Sequence, residues 1–408
     1  MAFSEPMRRA TLTSLLLLAC VTPSRRVAAP PSLVVAADPE PARAPRLASP
    51  AVDHHMSLDA LADGDGPRLG RRLVHSESPI QLPRVAAYDD GWSLSWSGPE
   101  GTSPLEVNVA ALDASLAETT RLAATPRDGH GSSFAFAAPA GDAWGVVFND
   151  DRDGANHRAA WFARADRGER AVTRTWRIPT SQEGTDRAES AAIAWSPTLR
   201  QWGVVANANG SIVFVLVDPS GALVANRVLG PGTLYTVGAP SVIWAGDRWA
   251  FLSLQAAQLR LTTVRGDRVV AQAAVYGGHA RDAALDWDGA GFGVTWSADE
   301  AGVAYVRVVD GRLAHPIRTV SRARYAAQPC LAWNGRDHVL AWSDQPDAAP
   351  NVRVVRFDRD GVARGERLVM EGAPGREAWW PSLGANGSRV ALVWQEGQGD
   401  AWALVLTP

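Results

Sequence analysis

The stretch QPCLAWNGRDHVLAWSD, residues 328–344, reads as two short strands joined by a tight turn. Cys330 to Trp333 is apolar, Asn334-Gly335 is a hairpin turn signal, and His338 to Trp342 is apolar again. Seen alone, Cys330, His338 and Asp344 suggest a reactive cluster. The same pattern recurs along the chain with other residues, which indicates a repeat unit rather than a site.

Seven such units follow one another from Pro83 onward, roughly 43 to 58 residues apart, a spacing typical of propeller blades. The first strands are predicted at Arg84 to Tyr88, Phe134 to Ala138, Ala191 to Trp195, Ser241 to Trp244, Ala283 to Trp287, Cys330 to Trp333 and Ser382 to Ala385. The second strands are WSLSW ending at Trp96, WGVVF at Phe148, WGVVA at Ala206, WAFLS at Ser253, FGVTW at Trp296, HVLAW at Trp342 and VALVW at Trp394. Turns such as Asp288-Gly289 join them and tolerate the positive φ that tight hairpins require.

A third strand and a D-x-x-G-like turn follow in most units, for example Ile212 to Val217 before Asp218-Pro219-Ser220-Gly221. A fourth strand comes next, as in Leu223 to Leu229. Four short strands per unit, seven units and no helix predict an all-β fold, a seven-bladed β-propeller of four-stranded antiparallel blades. A β-sandwich array is the alternative, but sandwich strands do not normally recur with one four-strand pattern.

The two ends of the repeat region predict that the ring closes. The seventh unit stops at its third strand, Trp402 to Pro408, and lacks a fourth. Arg72 to His75, ahead of the first unit, has the pattern of a fourth strand and would complete the last blade. Closure would remove an exposed sheet edge.

Tryptophan is unusually frequent, with 17 residues beside 37 Gly. Twelve of the tryptophans fall on the ends of predicted first and second strands, so we expect them to pack between blades rather than to form an aromatic ligand box. The five outside these positions are Trp161, Trp176, Trp379, Trp380 and Trp402.

Composition excludes several classes of function. A net charge of −3 and a pI near 6.3 give no basic face for nucleic acid. The sequence has no run of about 18 apolar residues, so it predicts no membrane-spanning helix. The motifs G-x-S-x-G, H-E-x-x-H, C-x-x-C and the Walker loop are missing from the sequence, so no catalytic residue is predicted.

The N-terminus has the features of a signal peptide. Arg8 and Arg9 precede a short apolar stretch, Ala10 to Ala19, that is too short to span a membrane. The residues Leu17-Leu18-Ala19-Cys20 resemble the bacterial lipobox, and the resemblance implies that Cys20 becomes a lipidated N-terminus of the mature chain. Val21 follows in place of an Asp, which implies the outer membrane, facing the periplasm or the cell surface. The alternative is an ordinary cleaved signal that contains a Cys.

The stretch 21–66 is rich in Pro and Ala and poor in aromatic residues, so we expect a disordered tether between residues 1–20 and a propeller at 67–408. The sequence has two Cys, so lipidation of Cys20 would leave Cys330 without an intramolecular disulfide partner.

One turn has spacing close to that of a calcium loop. Asn149, Asp151 and Asp153 place alternate oxygens before Gly154, but Ala160 stands where an EF-hand needs a bidentate Glu. We therefore favour an ordinary turn with exposed acids, with no cofactor. The surrounding stretch VVFNDDRDGANHRAAWFAR, residues 146–164, resembles the repeats of secreted bacterial β-propeller lipoproteins, many of unknown role. The resemblance implies binding or scaffolding at most.

The loops that join second to third strands, and fourth strands to the next first strands, should open on one face and are the best binding candidates. The adjacent Trp379 and Trp380 are the strongest candidates for a binding site. Exposure of two large apolar side chains on a polar loop is unfavourable unless they pack in the fold or bind a ligand. Equivalent loops carry Tyr235, His279, Arg281, Arg324 and Tyr325.

These observations predict a monomeric, lipid-anchored envelope protein that binds a protein or glycan partner without catalysis. It would contact the membrane only through its lipid anchor and would not bind nucleic acid. The rival is a polysaccharide hydrolase or lyase with its site at the mouth of the propeller axis, which needs converging arginines and carboxylates there. A third reading, a structural subunit of an envelope complex, needs a contiguous apolar patch on the flank of the ring.

Overall fold

A computed structural model describes the fold from residue 70 to residue 406. The described residues are 70–76, 79–99, 105–125, 130–152, 159–168, 170–179, 188–208, 210–234, 242–298, 302–323, 326–344, 349–372, 376–397 and 399–406. They form strands and turns throughout, because apolar residues alternate with polar ones over short runs that end at Gly, Asp or Asn.

The strands group into seven antiparallel sheets, one for each predicted unit. The strand that precedes the first unit is β1, Arg71–His75. The first three blades are β2 Gln81–Tyr88, β3 Gly91–Pro99, β4 Leu105–Leu112 and β5 Glu118–Ala123; β6 Ser132–Ala140, β7 Ala143–Asp150, β8 Ala159–Asp166 and β9 Ala171–Arg177; and β10 Ala188–Ser196, β11 Gln201–Ala208, β12 Ser211–Val217 and β13 Leu223–Pro231. Blades four and five are β14 Val242–Trp244, β15 Trp249–Gln255, β16 Gln258–Arg265 and β17 Arg268–Gly277; and β18 Ala280–Trp287, β19 Phe292–Ala298, β20 Gly302–Val309, β21 Arg312–Leu313 and β22 Arg318–Ser321. Blades six and seven are β23 Ala327–Trp333, β24 His338–Asp344, β25 Asn351–Phe357 and β26 Ala363–Met370; and β27 Ala378–Asn386, β28 Arg389–Glu396 and β29 Asp400–Leu406.

The seven-bladed propeller predicted from the repeat is confirmed. In each blade the strands pair in chain order, and the first strands of neighbouring blades contact one another around the ring. The fourth strands lie on the outside and are the most exposed. The sequence did not predict that the fifth blade divides its outermost strand into β21 and β22, both of which pair with β20.

The predicted closure is also confirmed. β1 pairs antiparallel with β29, so the last sheet has the order β1, β29, β28, β27. Val74 is buried and packs in a core shared by the first and last blades, with Ile80, Trp92 and Val393. The N-terminal strand therefore completes the seventh blade.

The tryptophan that begins a second strand packs against a small residue of the preceding blade. A Cβ on Gly145 would lie 2.7 Å from Trp202 Nε1, and one on Gly203 would lie 2.7 Å from Trp249 Cε3. Trp202 Nε1 also donates to the Ala138 carbonyl at 2.9 Å. The Trp-Gly pairs of the sequence therefore join neighbouring blades. The glycine of one blade has no side chain, which leaves room for the tryptophan ring of the next blade.

The tryptophans that end first strands also pack where neighbouring blades meet, as predicted. Trp195 lies across from Trp202 with ring centroids 4.9 Å apart, and Trp244 lies across from Trp249 at 4.9 Å. Both first-strand tryptophans are half-buried. They cover their own blade's second-strand ring, because the two positions are directly paired in the hairpin.

In the part of the chain that the structure describes, no helix is long and apolar enough to cross a membrane.

Candidate functional site at the centre of the loop face

The antiparallel order fixes which connections share a face. Each first strand follows a connection from the preceding blade, so these connections and the turns from second to third strands lie at one end of the ring, called here the loop face. The turns from first to second and from third to fourth strands lie at the opposite end, called the turn face. The strand order therefore agrees with the expectation that these connections open on one face.

The first strands of five blades contain an equivalent β-bulge near the loop face. The pairing with the second strand shifts by one residue there, and the residue inside the shift has positive φ. These residues are Leu82, Phe134, Asp282, Gln328 and Trp380, with φ between 44° and 57°. Positive φ is costly for such residues, so its recurrence shows that the ring imposes the bulge.

A hydrogen-bond chain links the bulges of three consecutive blades. Gln328 donates its backbone N–H to Asp282 Oδ2 at 3.3 Å. Trp380 donates its own backbone N–H to Gln328 Oε1 at 2.9 Å. Ser297 and Ser343 donate their hydroxyls to the same two side chains, at 3.3 and 3.0 Å. The polar side chains of the fifth and sixth blades thus fasten the next blade's first strand.

Arg84 of the first blade is buried and contacts the second blade. It is 4% exposed, and its guanidinium carbon lies 5.2 Å from the centre of the Phe136 ring in the second blade. Burial lowers the pKa of Arg84 to about 10, while Asp282 of the fifth blade and Cys330 of the sixth act to raise it. Arg84 therefore remains charged at neutral pH although it is buried.

Asp282 is the residue with positive φ in the bulge of the fifth blade. Desolvation raises the pKa of Asp282, against the lowering by the Gln328 N–H, the Ser297 hydroxyl and the charges of Arg281 and Arg84. Cys330 is 1% exposed, and burial raises the pKa of its thiol to about 12. The Cys330 thiol is therefore neutral at physiological pH.

The acids at the ends of three second strands are paired within their own blades. The pairs are Asp150 Oδ1 with Arg152 Nε at 2.8 Å, Asp344 Oδ2 with Arg353 Nε at 2.7 Å, and Glu396 Oε1 with Arg376 Nε at 2.9 Å. Burial acts to raise the pKa of Asp150, but hydrogen bonds from Arg152 and Ser132 outweigh it and lower the pKa. Each of these carboxylates thus forms an ion pair with an arginine of its own blade.

The two tryptophans of the predicted loop lie on β27, at the loop face. Both are half-buried. Trp379 pairs with Gln395 just before the bulge, and Trp380 is the bulged residue whose N–H is held by Gln328. The conformation of Trp380 is shared with the other bulges and is a feature of the fold, so Trp379 is the better ligand-binding candidate.

Arg281 and His279 are exposed at the same face, where the fourth blade joins the fifth. Arg281 precedes the bulge of β18, the position that Trp379 occupies in β27. The structure therefore gives Arg281 and Trp379 equivalent places in different blades. Tyr235, Arg324 and Tyr325 lie outside the described residues.

The calcium-loop prediction remains untested, because Asp153 lies outside the described residues. Asp151 Oδ1 accepts the Gly131 N–H at 2.8 Å and lies 3.7 Å from His130 Nδ1, while Asn149 is buried at 3% exposure. Within the described ranges, no group of three or more His, Cys, Asp or Glu is arranged to hold a metal ion.

His338 is structural in this arrangement. It takes the place of the tryptophan that begins other second strands, and a Cβ on Gly293 would lie 2.6 Å from His338 Nε2. Its Nδ1 lies 2.9 Å from Tyr305 Oη. Burial lowers the pKa of His338 to about 4, so the ring is neutral at physiological pH.

Sequence reasoning missed the polar residues of the first strands. Arg84, Asp282 and Gln328 lie on first strands that otherwise read as apolar. The available signal was a polar residue within a buried strand. The hydrogen bond from the Gln328 N–H to Asp282 could not be read from spacing, because it joins two blades.

No family model matches the sequence, and no curated protein matches it either. The structure is similar to the β-propeller domain of the Trilobed protease from Pyrococcus furiosus, a domain described as having an open velcro topology, with TM-score 0.50 and 8% identity over 80% of this chain and 94% of that one. It is also similar to a chain in a crystal structure of a mitotic checkpoint complex, with TM-score 0.55 and 10% identity over 85% of this chain and 98% of that one. At such identities the likeness shows the β-propeller fold alone.

Proposed function

We propose that this protein is a lipid-anchored β-propeller of the cell envelope that binds a protein or glycan partner through its loop face, without catalysis. The observation that supports it best is that the polar side chains of two bulges are engaged in contacts between blades. Asp282 and Gln328 hold backbone N–H groups of the next blade. Propeller domains commonly serve as binding or scaffold modules, and a propeller chain occurs within the mitotic checkpoint complex.

The rival activity, cleavage of a polysaccharide by a hydrolase or a lyase, needs arginines and carboxylates that converge on the reacting bond. Asp150, Asp344 and Glu396 are each engaged by an arginine of their own blade. Carboxylates paired in this way favour a binding face over a catalytic mouth.

The anchor is part of the proposal. Cys20 lies outside the described residues, and its resemblance to a lipobox cysteine supports lipidation and an outer-membrane location. Mass spectrometry of the mature N-terminus tests this directly. A diacylated Cys20 is expected, and an unmodified N-terminus downstream of Cys20 would refute the anchor.

Binding is tested with the purified full chain on a glycan array, and with a pull-down from detergent-solubilised envelopes followed by titration of each purified partner. Trp379→Ala and Arg281→Ala should each weaken binding at least tenfold, since both occupy the equivalent position at the loop face. Leu199→Ala, on an exposed turn of the turn face, is the matched control and should leave affinity unchanged. Equal binding by all variants would refute the loop-face site, and cleavage of a bound glycan, detected by mass spectrometry, would favour the enzyme.

A further inference from the structure

The turn between the third and fourth strands of the fourth blade departs from the repeat in its charge. In each blade one third-strand residue pairs with the residue that begins the second-strand motif, as Val264 pairs with Trp249. In four of the other blades the next residue along the chain is an Asp; these residues are Asp113, Asp166, Asp218 and Asp358. In the fourth blade it is Arg265. A guanidinium therefore stands where the repeat usually has a carboxylate.

The recurring Asp helps to form its own turn. Asp218 Oδ1, for example, accepts the backbone N–H groups of Ser220 and Ala222, each at 2.9 Å. In the fourth blade Gly266 and Asp267 alone join the two strands, and Gly266 has a positive φ of 61°, as a two-residue hairpin needs. Such a hairpin requires no capping side chain, so the carboxylate could be replaced there without loss of the turn.

Two arginines face each other across this hairpin. Arg265 pairs with Arg268, and both are exposed. Like charges directly opposite each other in an antiparallel pair are destabilising. Asp247, in the turn from the first to the second strand, offsets part of this repulsion, because its Oδ2 accepts from Arg265 Nη2. The same carboxylate also pairs with Arg248, whose Nε lies 2.6 Å from Asp247 Oδ1, so two arginines share one negative charge.

A second carboxylate extends the cluster to the third blade. Arg227 on β13 donates from its Nε to Asp267 Oδ2 at 2.6 Å. The hydrogen bond from Arg227 lowers the pKa of Asp267, and the charge of Arg268 contributes to the lowering. The hydrogen bond from Arg248 likewise lowers the pKa of Asp247. Both carboxylates are therefore ionised at neutral pH.

These contacts run without a break from the fourth blade to the third and make one surface. We call it the arginine patch; its residues are Arg227, Arg248, Arg265 and Arg268, with Asp247 and Asp267. Four positive and two negative charges give the patch a net charge of +2, whereas the whole chain has −3. The side chains of Arg227 and Arg265 are 61% and 60% exposed, so the excess positive charge faces solvent.

The arginine patch is elongated. It begins at the turn between the first two strands of the fourth blade, continues at the turn before the outermost strand β17, and ends on β13, the outermost strand of the third blade. Neighbouring strands of a sheet lie about 4.8 Å apart, so crossing the fourth blade alone covers about 14 Å. Guanidinium groups bind carboxylates through two parallel hydrogen bonds. A row of guanidinium groups of this length is too long for one small anion and matches a polymer that carries carboxylates at intervals.

We propose that the arginine patch binds an acidic polysaccharide, through carboxylates spaced along the sugar chain. The patch has two guanidinium groups more than it has carboxylates, and each can bind a carboxylate of the ligand. A ligand carboxylate between Arg265 and Arg268 would also relieve their mutual repulsion. Nucleic acid fits less well, because binding to its backbone rests on about 6 to 10 phosphate contacts and the patch has four arginines.

The arginine patch is separate from the proposed loop-face site. Both of its turns lie on the turn face, at the opposite end of the strands. The chain would therefore bind one partner at the loop face and an acidic polysaccharide at the turn face at the same time. Loss of either site would leave the other intact.

Fluorescence anisotropy of a labelled oligogalacturonate, titrated with the full chain in an uncharged detergent, tests this site. Binding is expected at an ionic strength of about 0.05 M and should weaken at least fivefold at about 0.3 M, because salt screens exposed charges. The double variant Arg265→Gln, Arg268→Gln should bind at least tenfold more weakly. The matched control is Arg312→Gln, Arg336→Gln, which removes the same charge from exposed turn-face residues of blades five and six and should bind like the wild type. Labelled dextran, a neutral polysaccharide, should not bind.

Four results would overturn the proposal. One is a wild-type chain that binds oligogalacturonate no better than dextran. Another is an equal loss of affinity in both double variants, since binding would then follow the net charge and not the arginine patch. The third is the same loss in Trp379→Ala, Arg281→Ala, which would place oligogalacturonate on the loop face. The last is tighter binding of a DNA duplex, which would assign the patch to nucleic acid.

Discussion

Asp286 Oδ2 accepts the backbone N–H of Trp333 at 2.5 Å, so the fifth blade holds the first strand of the sixth near the turn face. Asp286 Oδ1 accepts the N–H of Trp287 at 2.8 Å. Desolvation raises the pKa of Asp286 to about 6, although both hydrogen bonds lower it. The contact therefore joins two blades with a carboxyl group that titrates close to neutral pH.

The raised pKa gives a definite pH dependence. The ordinary pKa is 3.8, so between about pH 4 and pH 6 the folded chain binds more protons at Asp286 than the unfolded chain does. The stability contributed by the neutral carboxyl is thus present at acid pH and lost as the pH rises through about 6. The full shift corresponds to about 3 kcal/mol, and we expect about 2 kcal/mol because the residue as a whole is half-buried and partly screened.

Asp286→Asn tests this dependence, because the amide oxygen can still accept the Trp333 N–H but cannot ionise. Relative to the wild type, the variant should gain about 2 kcal/mol in free energy of unfolding between pH 4 and pH 7, measured by denaturant titration. Asp310→Asn removes the same charge at an exposed turn with φ of 49°, which Asn tolerates, and is the control. Parallel pH curves for wild type and Asp286→Asn would contradict the assignment.

The packing of Trp249 on Gly203 predicts a cost for the smallest added side chain. A Cβ at Gly203 would lie 2.7 Å from the fully buried Trp249 ring, so Gly203→Ala should lower the free energy of unfolding by ~1–3 kcal/mol. Gly277→Ala is the matched control, since a Cβ there meets nothing within 4 Å and Gly277 has no positive φ. Thermal melts of the two variants that differ by less than the measurement error would show that the interface between blades yields to overpacking.

The second-strand pattern could be predicted from sequence because it is local. Trp202-Gly203 and Trp249-Ala250 mark the start of a buried strand by residue type alone, and their repetition gives the number of blades. The positive φ of Leu82 and Trp380 could not be predicted, because neither is Gly and such residues rarely adopt it. The hydrogen bond from the Trp380 N–H to Gln328 could not be predicted either, since it joins the seventh blade to the sixth.

Closure itself should dominate the stability of the fold. Deletion of Arg68 to Ser78 removes β1, exposes the edge of β29 and uncovers the buried core around Val74, so we expect a loss of several kcal/mol, about 3–5. Val74→Asp should give a large part of this loss without shortening the chain, because it places a carboxylate at a position that is 5% exposed. Arg71→Ala, an exposed residue of the same strand, should melt like the wild type. An unchanged melting temperature after the deletion would mean that the ring is held without its N-terminal strand.

The thiol of Cys330 should react slowly for as long as the ring is closed. It is 1% exposed, its Sγ lies 3.6 Å from the Ala341 carbonyl oxygen, and burial raises its pKa to about 12 while Arg84 acts to lower it. At pH 8 only about one thiol in 10,000 would be ionised, and the thiolate is the reactive form. We expect alkylation of the Cys330 peptide, followed by mass spectrometry, to be at least a hundredfold slower than at a Cys introduced by Val362→Cys, a position that is 51% exposed.

Denaturant should remove the difference in labelling rate between the two cysteines, and the β1 deletion should speed labelling of Cys330 by opening the ring. Rapid labelling of Cys330 in the intact native chain would instead make it an accessible, reactive group and reopen the catalytic reading of residues 328–344.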